Sequence, residues 1–377
     1  MASIKKREDG RWRARYRDPS GAEYAKHFPR KIDAEEWLDS VRVDLSAGVH
    51  VNPVRGRVTF KTWSKQWQAE AVHLKPKTRA GYDSILHKHL LPYWEHTRLS
   101  NIDRPAVKAW VATMVSTGMG AGTVKNVVNT MKAVMSSAVE GGAIKVNPCV
   151  GVQLPRPARA EMQFLSAPQV VRLAEATGPE HRTLVLFAAY TGLRAGEIAA
   201  LRWERVNLLR ATLDVVESYA EVHGALVLGA TKTYARRTVR LPRFLADLLG
   251  EHQAITGPDG LVFRDSRGGP MRHSNFYRRI FRPAVERSGL STSLRFHDLR
   301  HTCVALLVAQ GAHPMAIKER LGHSSITVTL DQYGHLLPVI DETLAEGLEA
   351  THRKAAADFS RTFRGLNPIS SLVVSGP

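Results

Sequence analysis

The sequence contains little cysteine: Cys149 and Cys303 are the two residues of this type among 377. So few thiols exclude a disulfide framework and a cysteine-rich zinc site. The first residues, MASIKKREDG, lack the apolar segment of a secretory leader, and no apolar run reaches the length of a membrane span. Internal repeats and low-complexity segments are also missing. These absences predict an intracellular protein that does not span a membrane.

Acidic residues are scarce relative to basic ones, with 35 Asp and Glu against 53 Lys and Arg and a formal net charge of +18. The apolar fraction of 44% and the charged fraction of 23% are those of an ordinary globular protein. Such a positive excess favours a polyanionic partner such as nucleic acid, because binding phosphates releases their counterions. The alternative is a basic protein that is merely soluble, and the charge alone leaves it open.

The length of 377 residues suits two or three domains. Hydrophobic periodicity and the punctuation by Pro and Gly divide the chain into five parts. We predict a small unit at 1–55, a helical unit at 58–150, a linker at 151–163, a mixed unit at 164–350 and a terminal segment at 351–377.

The first unit contains the stretch GRWRARYRD, in which apolar and basic residues alternate. This period of two predicts a strand with one basic face, formed by Arg11, Arg13, Arg15 and Arg17. DPSG predicts a turn and AEYAKHFP a returning strand. DAEEWLDSVRVDLSAG predicts a helix with Asp33 as its N-cap and Gly48 near its end. The arginine row favours a DNA groove, whereas the alternative is a solvated edge strand kept basic to prevent aggregation.

From Thr59 to Pro148 the pattern is helical throughout, with cap residues, Pro and Gly between the helices. Several basic residues fall opposite the apolar stripes, and they are typical of a helical bundle that contacts phosphates. The DNA-binding candidates in this part are Lys75, Lys77, Arg79 and Lys125.

The mixed unit carries five short polar signatures in the order TGLRAGEI, GATKTYARRTVRLP, FHDLRHT, LGHSS and TLDQYGH. The candidate residues in them are Arg194, Glu197, Lys232, Arg236, Arg237, His297, Arg300, His323 and Tyr333. Singly each has an ordinary interpretation: a surface helix pair, a solvated turn lysine or a core tyrosine.

The pair His297 and His301 also has the H-x-x-x-H spacing of two zinc ligands on a helix. A zinc hydrolase normally adds a glutamate beside the first histidine, whereas here Asp298 follows it. Arg300 lies between the histidines and would oppose a divalent cation. We therefore predict no metal site.

Together and in this order, the signatures resemble the tyrosine recombinase family, specifically phage-type integrases. The resemblance is close from 164 to 345 and looser in the first 50 residues. It implies a multidomain, mostly α protein with α+β parts. The parts are a β-hairpin and helix domain that binds arm-type DNA (1–55), a helical core-binding bundle (58–150) and a mixed α+β catalytic domain (164–350).

The resemblance implies that Tyr333 attacks a DNA phosphodiester and forms a 3′-phosphotyrosine. Arg194 and Arg300 would stabilise the charge on the phosphate, and His323 would hydrogen-bond one of its oxygens. Lys232 would protonate the 5′ leaving oxygen, and His297 would take the tyrosine proton. Glu197 would orient Arg194 or the nearby backbone and take no part in the chemistry. The roles of Asp298, His301 and His335 stay open.

The implied function is site-specific integration and excision of phage or mobile-element DNA, without cofactor, metal or ATP. The implied partners are double-stranded DNA at core and arm sites and three further copies of the chain in a tetramer on synapsed DNA. An excision factor and a DNA-bending host protein are implied as accessories, and whether this chain uses either stays open. The implied location is the bacterial cytoplasm, at the nucleoid. Two alternatives are a type IB topoisomerase-like enzyme and a DNA-binding regulator without catalysis.

Overall fold

A computed structural model of the protein describes residues 2–19, 21–46, 55–157, 162–231, 236–334 and 341–363. The chain divides into two units, Met1–Glu161 with Glu221–Ala225, and Met162–Ala220 with Leu226–Pro377. Within the described ranges, no helix combines the length and the apolar character needed to cross a membrane.

The first unit begins with a three-stranded antiparallel sheet and a helix, in the order β1 (Ser3–Lys6), β2 (Trp12–Arg17), β3 (Glu23–Phe28) and α1 (Lys31–Ser46). The strand order is β1-β2-β3. Ala14 and Tyr16 are buried with Leu38 of α1, while the arginines that alternate with them, Arg13, Arg15 and Arg17, are exposed. The predicted alternation is confirmed, but the expected hairpin has a third strand. Because β2 is the central strand, the edge-strand alternative is wrong.

Helix α1 begins at Lys31, so the prediction of Asp33 as its N-cap was wrong. Asp33 lies in the first turn, where its Oδ1 accepts a hydrogen bond from Arg30 Nη2 at 2.6 Å. The carboxylate therefore pairs with a guanidinium instead of capping a backbone amide. The predicted helix end near Gly48 lies outside the described residues.

Five helices follow in this unit: α2 (Phe60–Glu70), α3 (Pro76–Ile85), α4 (Leu91–Trp94), α5 (Arg104–Ser116) and α6 (Ala121–Glu140). A π-helical turn, Leu86–Leu90, joins α3 to α4. Asp103 caps α5 by accepting from the Ala106 amide at 2.8 Å. Helix α6 buries residues at spacings of three and four, among them Val124, Val127 and Met131, in the bundle core. The helical pattern predicted from Thr59 to Pro148 is confirmed.

The second unit is mostly helical with two small sheets. Its elements are α7 (Ala167–Ala176), α8 (Pro179–Thr191), α9 (Ala195–Ala200), β4 (Val206–Asn207), β5 (Thr212–Val215), β6 (Glu217–Val222), β7 (Ala225–Ala230), β8 (Arg237–Arg240), α10 (Arg243–Thr256), α11 (His273–Phe276), α12 (Arg282–Arg287), α13 (Asp298–Val308), α14 (Pro314–Leu321), α15 (Ile326–Tyr333) and α16 (Asp341–Phe363). The sheets have the orders β4-β5-β8 and β6-β7. The predicted fold class is confirmed.

The core of this unit forms where α7, α8, α10 and α12 pack with β5 and β8. Helix α8 is buried on most of its surface, and this is why its sequence, TLVLFAA, is apolar almost without interruption. A smaller cluster joins α13, α14 and Tyr333. These two clusters hold the ends of α8, α13, α14 and α15, where the polar signatures lie.

Candidate active site

The signature TGLRAGEI forms a sharp corner between α8 and α9. Gly192 ends α8 with a φ of 69°, a left-handed conformation that favours glycine. A Cβ atom on Gly192 would lie 2.6 Å from Cδ2 of Leu321. The corner places Arg194 at the N-cap position of α9. There its backbone amide and its Nη1 each donate a hydrogen bond to the Glu197 carboxylate at 2.9 Å.

Glu197 is the anionic centre of this corner, with a side chain that is 1% exposed. Besides Arg194, it accepts from Arg237 Nη2 at 2.7 Å and from Nη1 at 3.2 Å. Burial disfavours the carboxylate, but the hydrogen bond and charge of Arg237, with those of Arg194, hold the pKa of Glu197 below its ordinary value. Glu197 therefore orients two arginines as an ionised group.

Arg237 departs from the expectation that it meets the DNA backbone. Its side chain is 7% exposed, and its Nε donates to the carbonyl of Arg320 at 2.9 Å. A guanidinium committed to Glu197 and to a helix carbonyl is part of the interior, so the assignment of Arg237 is corrected. The neighbouring Arg236 is exposed.

The stretch RFHDLRHT forms the beginning of α13. Asp298 is fully buried and accepts from the Arg295 amide and from Arg295 Nη2, both at 2.7 Å. These bonds fix the chain where it enters the helix. His297, at the cap position, keeps an exposed side chain. Although the residue reaches the surface, the protein around its ring removes part of its hydration. This desolvation, with the charges of His301 and Arg300, lowers the pKa of His297 to about 4.

Arg300 ties α13 to the ends of two other helices. Its Nη1 donates to the carbonyl of Gly192 at 2.6 Å and its Nη2 to that of Leu321 at 2.8 Å. The residue is 3% exposed. Burial, with the charge of Arg194, lowers the pKa of Arg300 to about 10, so it stays cationic at neutral pH. Two of the five N–H groups of a guanidinium are used in these bonds.

Tyr333 is the last residue of α15, and it is 2% exposed. Its hydroxyl lies 2.7 Å from Nδ1 of His301, a residue that is itself 6% exposed. Burial raises the pKa of Tyr333 to about 12, although Arg300 and Arg194 act in the opposite direction. Sequence reasoning expected His297 beside this hydroxyl. The ring of His297 instead stands edge-on to His301, with 5.0 Å between the centroids.

His323 follows the end of α14 and lies over the tyrosine. Its ring is parallel to that of Tyr333, with centroids 6.4 Å apart, and its Nδ1 lies 2.8 Å from Thr329 Oγ1. Desolvation and the charge of Arg300 lower the pKa of His323 to about 4. The ring is therefore neutral near pH 7 and can hydrogen-bond an oxygen without carrying charge.

The structure thus brings Arg194, Glu197, Arg300, His323 and Tyr333 to one place, where the ends of α8, α13, α14 and α15 meet. His301 and Arg237 belong to the same group. The sequence did not predict their contacts with Tyr333 and Glu197. The sequence signal for His301 was its position in HDLRHT, four residues after His297, and this spacing left its role open. Lys232 and His335 lie outside the described residues. Among the described residues, no three His, Cys, Asp or Glu side chains are grouped as metal ligands.

Most of the DNA-binding candidates lie at the surface of their own unit. The exposed ones are Arg11, Arg13, Arg15, Arg17, Lys77, Arg79, Lys125 and Arg236, while Lys75 is half-buried. Three of the arginines surround one carboxylate on the sheet: Glu23 lies 3.7 Å from Arg13 and 3.5 Å from Arg15 and from Arg17. The basic face therefore keeps a positive excess after this pairing.

Comparisons with known proteins agree with this geometry. The profile of the phage integrase family matches residues 163–338, that of the phage integrase N-terminal domain residues 2–47, and that of the phage integrase N-terminal SAM-like domain residues 59–115. The chain belongs to the phage integrase family. It is a tyrosine-type site-specific recombinase, which confirms the predicted enzyme class and function.

Individual relatives extend over most of the chain. The ICEBs1 integrase of Bacillus subtilis (strain 168) is 28% identical over 308 residues, which are 78% of this chain and 83% of that protein. The Tn1549 transposon integrase, solved with transposon right end DNA, has a TM-score of 0.67 at 20% identity and covers 77% of this chain and 98% of its own. A lambda integrase tetramer bound to a Holliday junction has a TM-score of 0.55 at 21% identity, over 87% of this chain and 93% of its own.

Proposed function

We propose that the recombinase cuts and rejoins DNA through a 3′-phosphotyrosine formed on Tyr333. The observation that carries the proposal is the position of this hydroxyl at the end of α15, within the electrostatic field of Arg300 and Arg194. Both cations favour the phenolate that must form during attack. They also stabilise the negative charge of the phosphate that the Tyr333 oxygen attacks.

The two arginines stabilise the charge that builds on the non-bridging oxygens as phosphorus becomes pentacoordinate. A guanidinium donates paired hydrogen bonds to such oxygens and stays charged at any biological pH. Arg300 is held by two carbonyls and Arg194 by Glu197, so neither must reorganise during the reaction. His297 and His323 hydrogen-bond the same phosphate in this proposal.

Lys232 is the general acid of the proposed reaction. It lies between the end of β7 and the start of β8 in the sequence, outside the described residues, so its role rests on the family signature. The 5′ oxygen of deoxyribose leaves poorly unless it gains a proton, and an ammonium group can supply it. Because the phosphotyrosine keeps the energy of the broken bond, a 5′ hydroxyl of a second duplex can attack it without ATP.

In this proposal, parts of the chain outside the catalytic unit also bind the DNA. We assign 1–55 to arm-type sites, 58–150 to the core site, 151–163 to a linker, 164–350 to catalysis and 351–377 to a C-terminal helix and tail. The segment LLPVIDETLAEGLEATHRKAAADF, which follows Tyr333, would contact a neighbouring subunit. The lambda integrase tetramer on a Holliday junction supports a tetramer as the active assembly. Helix α16 is exposed from Glu346 to Phe359 and crosses the boundary at 350, so it offers a surface for a neighbouring copy. An excision factor and a DNA-bending host protein would set the direction of the reaction, at the nucleoid of a bacterial host.

The test is a denaturing gel with a nicked core-site substrate that traps the covalent complex, in the presence of EDTA. We expect a slow band for the parent and for Tyr277→Phe, a control tyrosine outside the candidate site, and none for Tyr333→Phe. An adduct formed on arbitrary sequence would instead indicate a topoisomerase. Tight DNA binding with no adduct from the parent would indicate a regulator and contradict the proposal.

A further inference from the structure

His301 is the partner of the Tyr333 hydroxyl, and the reaction described so far gives it no task. The two residues are brought together by α13 and α15, which are 32 positions apart at this contact. Both side chains are buried, so the 2.7 Å distance joins atoms that water cannot easily separate. A buried histidine on a nucleophilic oxygen is the arrangement by which imidazoles activate hydroxyl groups.

We propose that His301, and not His297, accepts the phenolic proton of Tyr333 during DNA cleavage, an inference that rests on the proposed function. In the cleavage step the Tyr333 oxygen bonds to phosphorus while the bond from phosphorus to the 5′ oxygen breaks. The phenolic proton passes to Nδ1 of His301, and the 5′ oxygen takes a proton from Lys232. In the rejoining step each bond and each proton returns the way it came.

The surroundings of His301 suit an acceptor that becomes charged only during the reaction. Burial, together with Arg295 and Arg300, lowers the pKa of the ring, while Asp298 opposes this shift. Before attack the neutral ring can therefore accept at Nδ1, with its proton on Nε2. After transfer, the imidazolium has a buried countercharge at hand, because Asp298 Oδ1 lies 4.0 Å from Nε2.

The other titratable groups around His301 do not offer the same geometry. His297 meets it edge-on at 5.0 Å between centroids, and its exposed ring is open to the phosphate. His323 lies parallel to the tyrosine ring at 6.4 Å, with Nδ1 turned to Thr329. Arg300 is cationic and cannot accept a proton. Of these groups, His301 is the one with a ring nitrogen at hydrogen-bond distance from the attacking oxygen.

The test compares His301→Gln with His297→Gln in single-turnover cleavage of the nicked substrate. Glutamine keeps the size of the side chain and a hydrogen bond but cannot carry the proton. We expect His301→Gln to slow cleavage by about 10²–10⁴-fold, the usual effect of losing a general base. The DNA affinity of His301→Gln should stay close to that of the parent, because this buried side chain contacts no DNA in the proposal.

A second measurement separates proton transfer from simple support. Tyr333 is replaced in each background by a fluorinated tyrosine whose phenol is more acidic, so that it needs a base less. We expect fluorination to raise the cleavage rate at least tenfold more in His301→Gln than in the parent or in His297→Gln. An equal effect in all three would show that His301 only supports the fold, and a larger effect in His297→Gln would make that residue the acceptor. An adduct that persists in Tyr333→Phe would overturn the proposed function itself.

Discussion

Glu197 shows at the scale of one residue how the site is held ready for a phosphate. One buried carboxylate binds Arg194 from its own helix turn and Arg237 from β8. Without it, two cations near Arg300 would repel each other. The site therefore contains a fixed anion whose charge offsets those of the arginines before the phosphate binds. Its contribution to the stability of the protein can be measured.

Glu197→Gln should lower the free energy of unfolding by about 3–5 kcal/mol at neutral pH, the range for breaking a buried ion pair on one side. The folded-state pKa of Glu197 is lowered, so its stabilisation is complete above the ordinary value of about 4.3 and disappears as the pH falls through the folded value. The difference between parent and variant should therefore shrink in acid. Denaturant unfolding at several pH values measures it.

The matched control is Glu175→Gln, which removes the exposed partner of Arg182. Its effect should stay within about 1 kcal/mol, as for surface ion pairs. A loss from Glu197→Gln no larger than this would contradict the account of the corner.

Arg300→Lys should slow DNA cleavage by about 10²–10³-fold, the effect of losing a preorganised donor to a developing oxyanion. Lysine keeps the charge but cannot bridge the carbonyls of Gly192 and Leu321 while also facing a phosphate. The rate is measured in single-turnover cleavage.

Arg320→Lys is the matched variant for this prediction, because Arg320 also bridges two carbonyls, those of Arg240 and Tyr190. It should lower the melting temperature about as much as Arg300→Lys and leave the cleavage rate much closer to that of the parent. Equal rate losses in the two variants would mean that Arg300 acts through the fold alone.

Single residues also show where sequence reasoning reached its limit. Arg194, Arg300, His323 and Tyr333 could be named in advance because each falls in a short signature whose order is informative. The bond of His301 to Tyr333 and that of Arg237 to Glu197 join residues 32 and 40 positions apart. Such partners depend on how helices and strands pack, and no local pattern encodes them.

At the scale of the elements, the corner at Gly192 decides how α8 and α9 present their ends. Its left-handed backbone and its contact with Leu321 both require a residue without a Cβ atom. The corner also supplies the carbonyl that Arg300 binds. A change here should therefore disturb stability and catalysis together.

Gly192→Ala should destabilise the protein by two separable effects. The left-handed conformation costs about 1–2 kcal/mol for alanine, and the overpacking against Leu321 costs about 1–3 kcal/mol more. Gly289→Ala isolates the first effect, because Gly289 has a φ of 64° and open space around its Cβ position. Chemical denaturation of both variants measures the difference. Equal losses would show that Leu321 moves aside without cost.

The elements themselves were predictable where periodicity and caps agreed. Helix α5 begins at the Asp103 cap, and α7 begins with a capping box at Ser166. Strand β1 was missed, because SIKK is short and shows no alternation that a strand pattern requires. The predicted start of α1 was wrong because the Asp33 carboxylate accepts a hydrogen bond from the Arg30 guanidinium instead of from a backbone amide. A rule based on cap residues alone does not include such a side-chain partner.

At the scale of the whole molecule, we propose that different parts of the chain provide DNA affinity and DNA chemistry. Deleting residues 1–55 should leave cleavage of a core-site substrate within a few-fold of the parent while integration into a target with arm sites falls strongly. Loss of the arginine row on β2 should also make binding to arm-site DNA less sensitive to salt, because fewer phosphates are neutralised. Gel-shift titrations at several salt concentrations and a recombination assay measure both. Undiminished integration by the truncated protein would refute the arm assignment.

The most direct test of the central claim is to identify the residue that becomes linked to DNA. The covalent complex, formed with EDTA present, is digested with trypsin and nuclease and analysed by mass spectrometry. The expected peptide, Leu321 to Arg353, contains Tyr333 as its one tyrosine. We expect a nucleotide attached to Tyr333 through its 3′ phosphate, with a free 5′ hydroxyl on the other DNA end. Attachment at another residue, or through a 5′ phosphate, would contradict it.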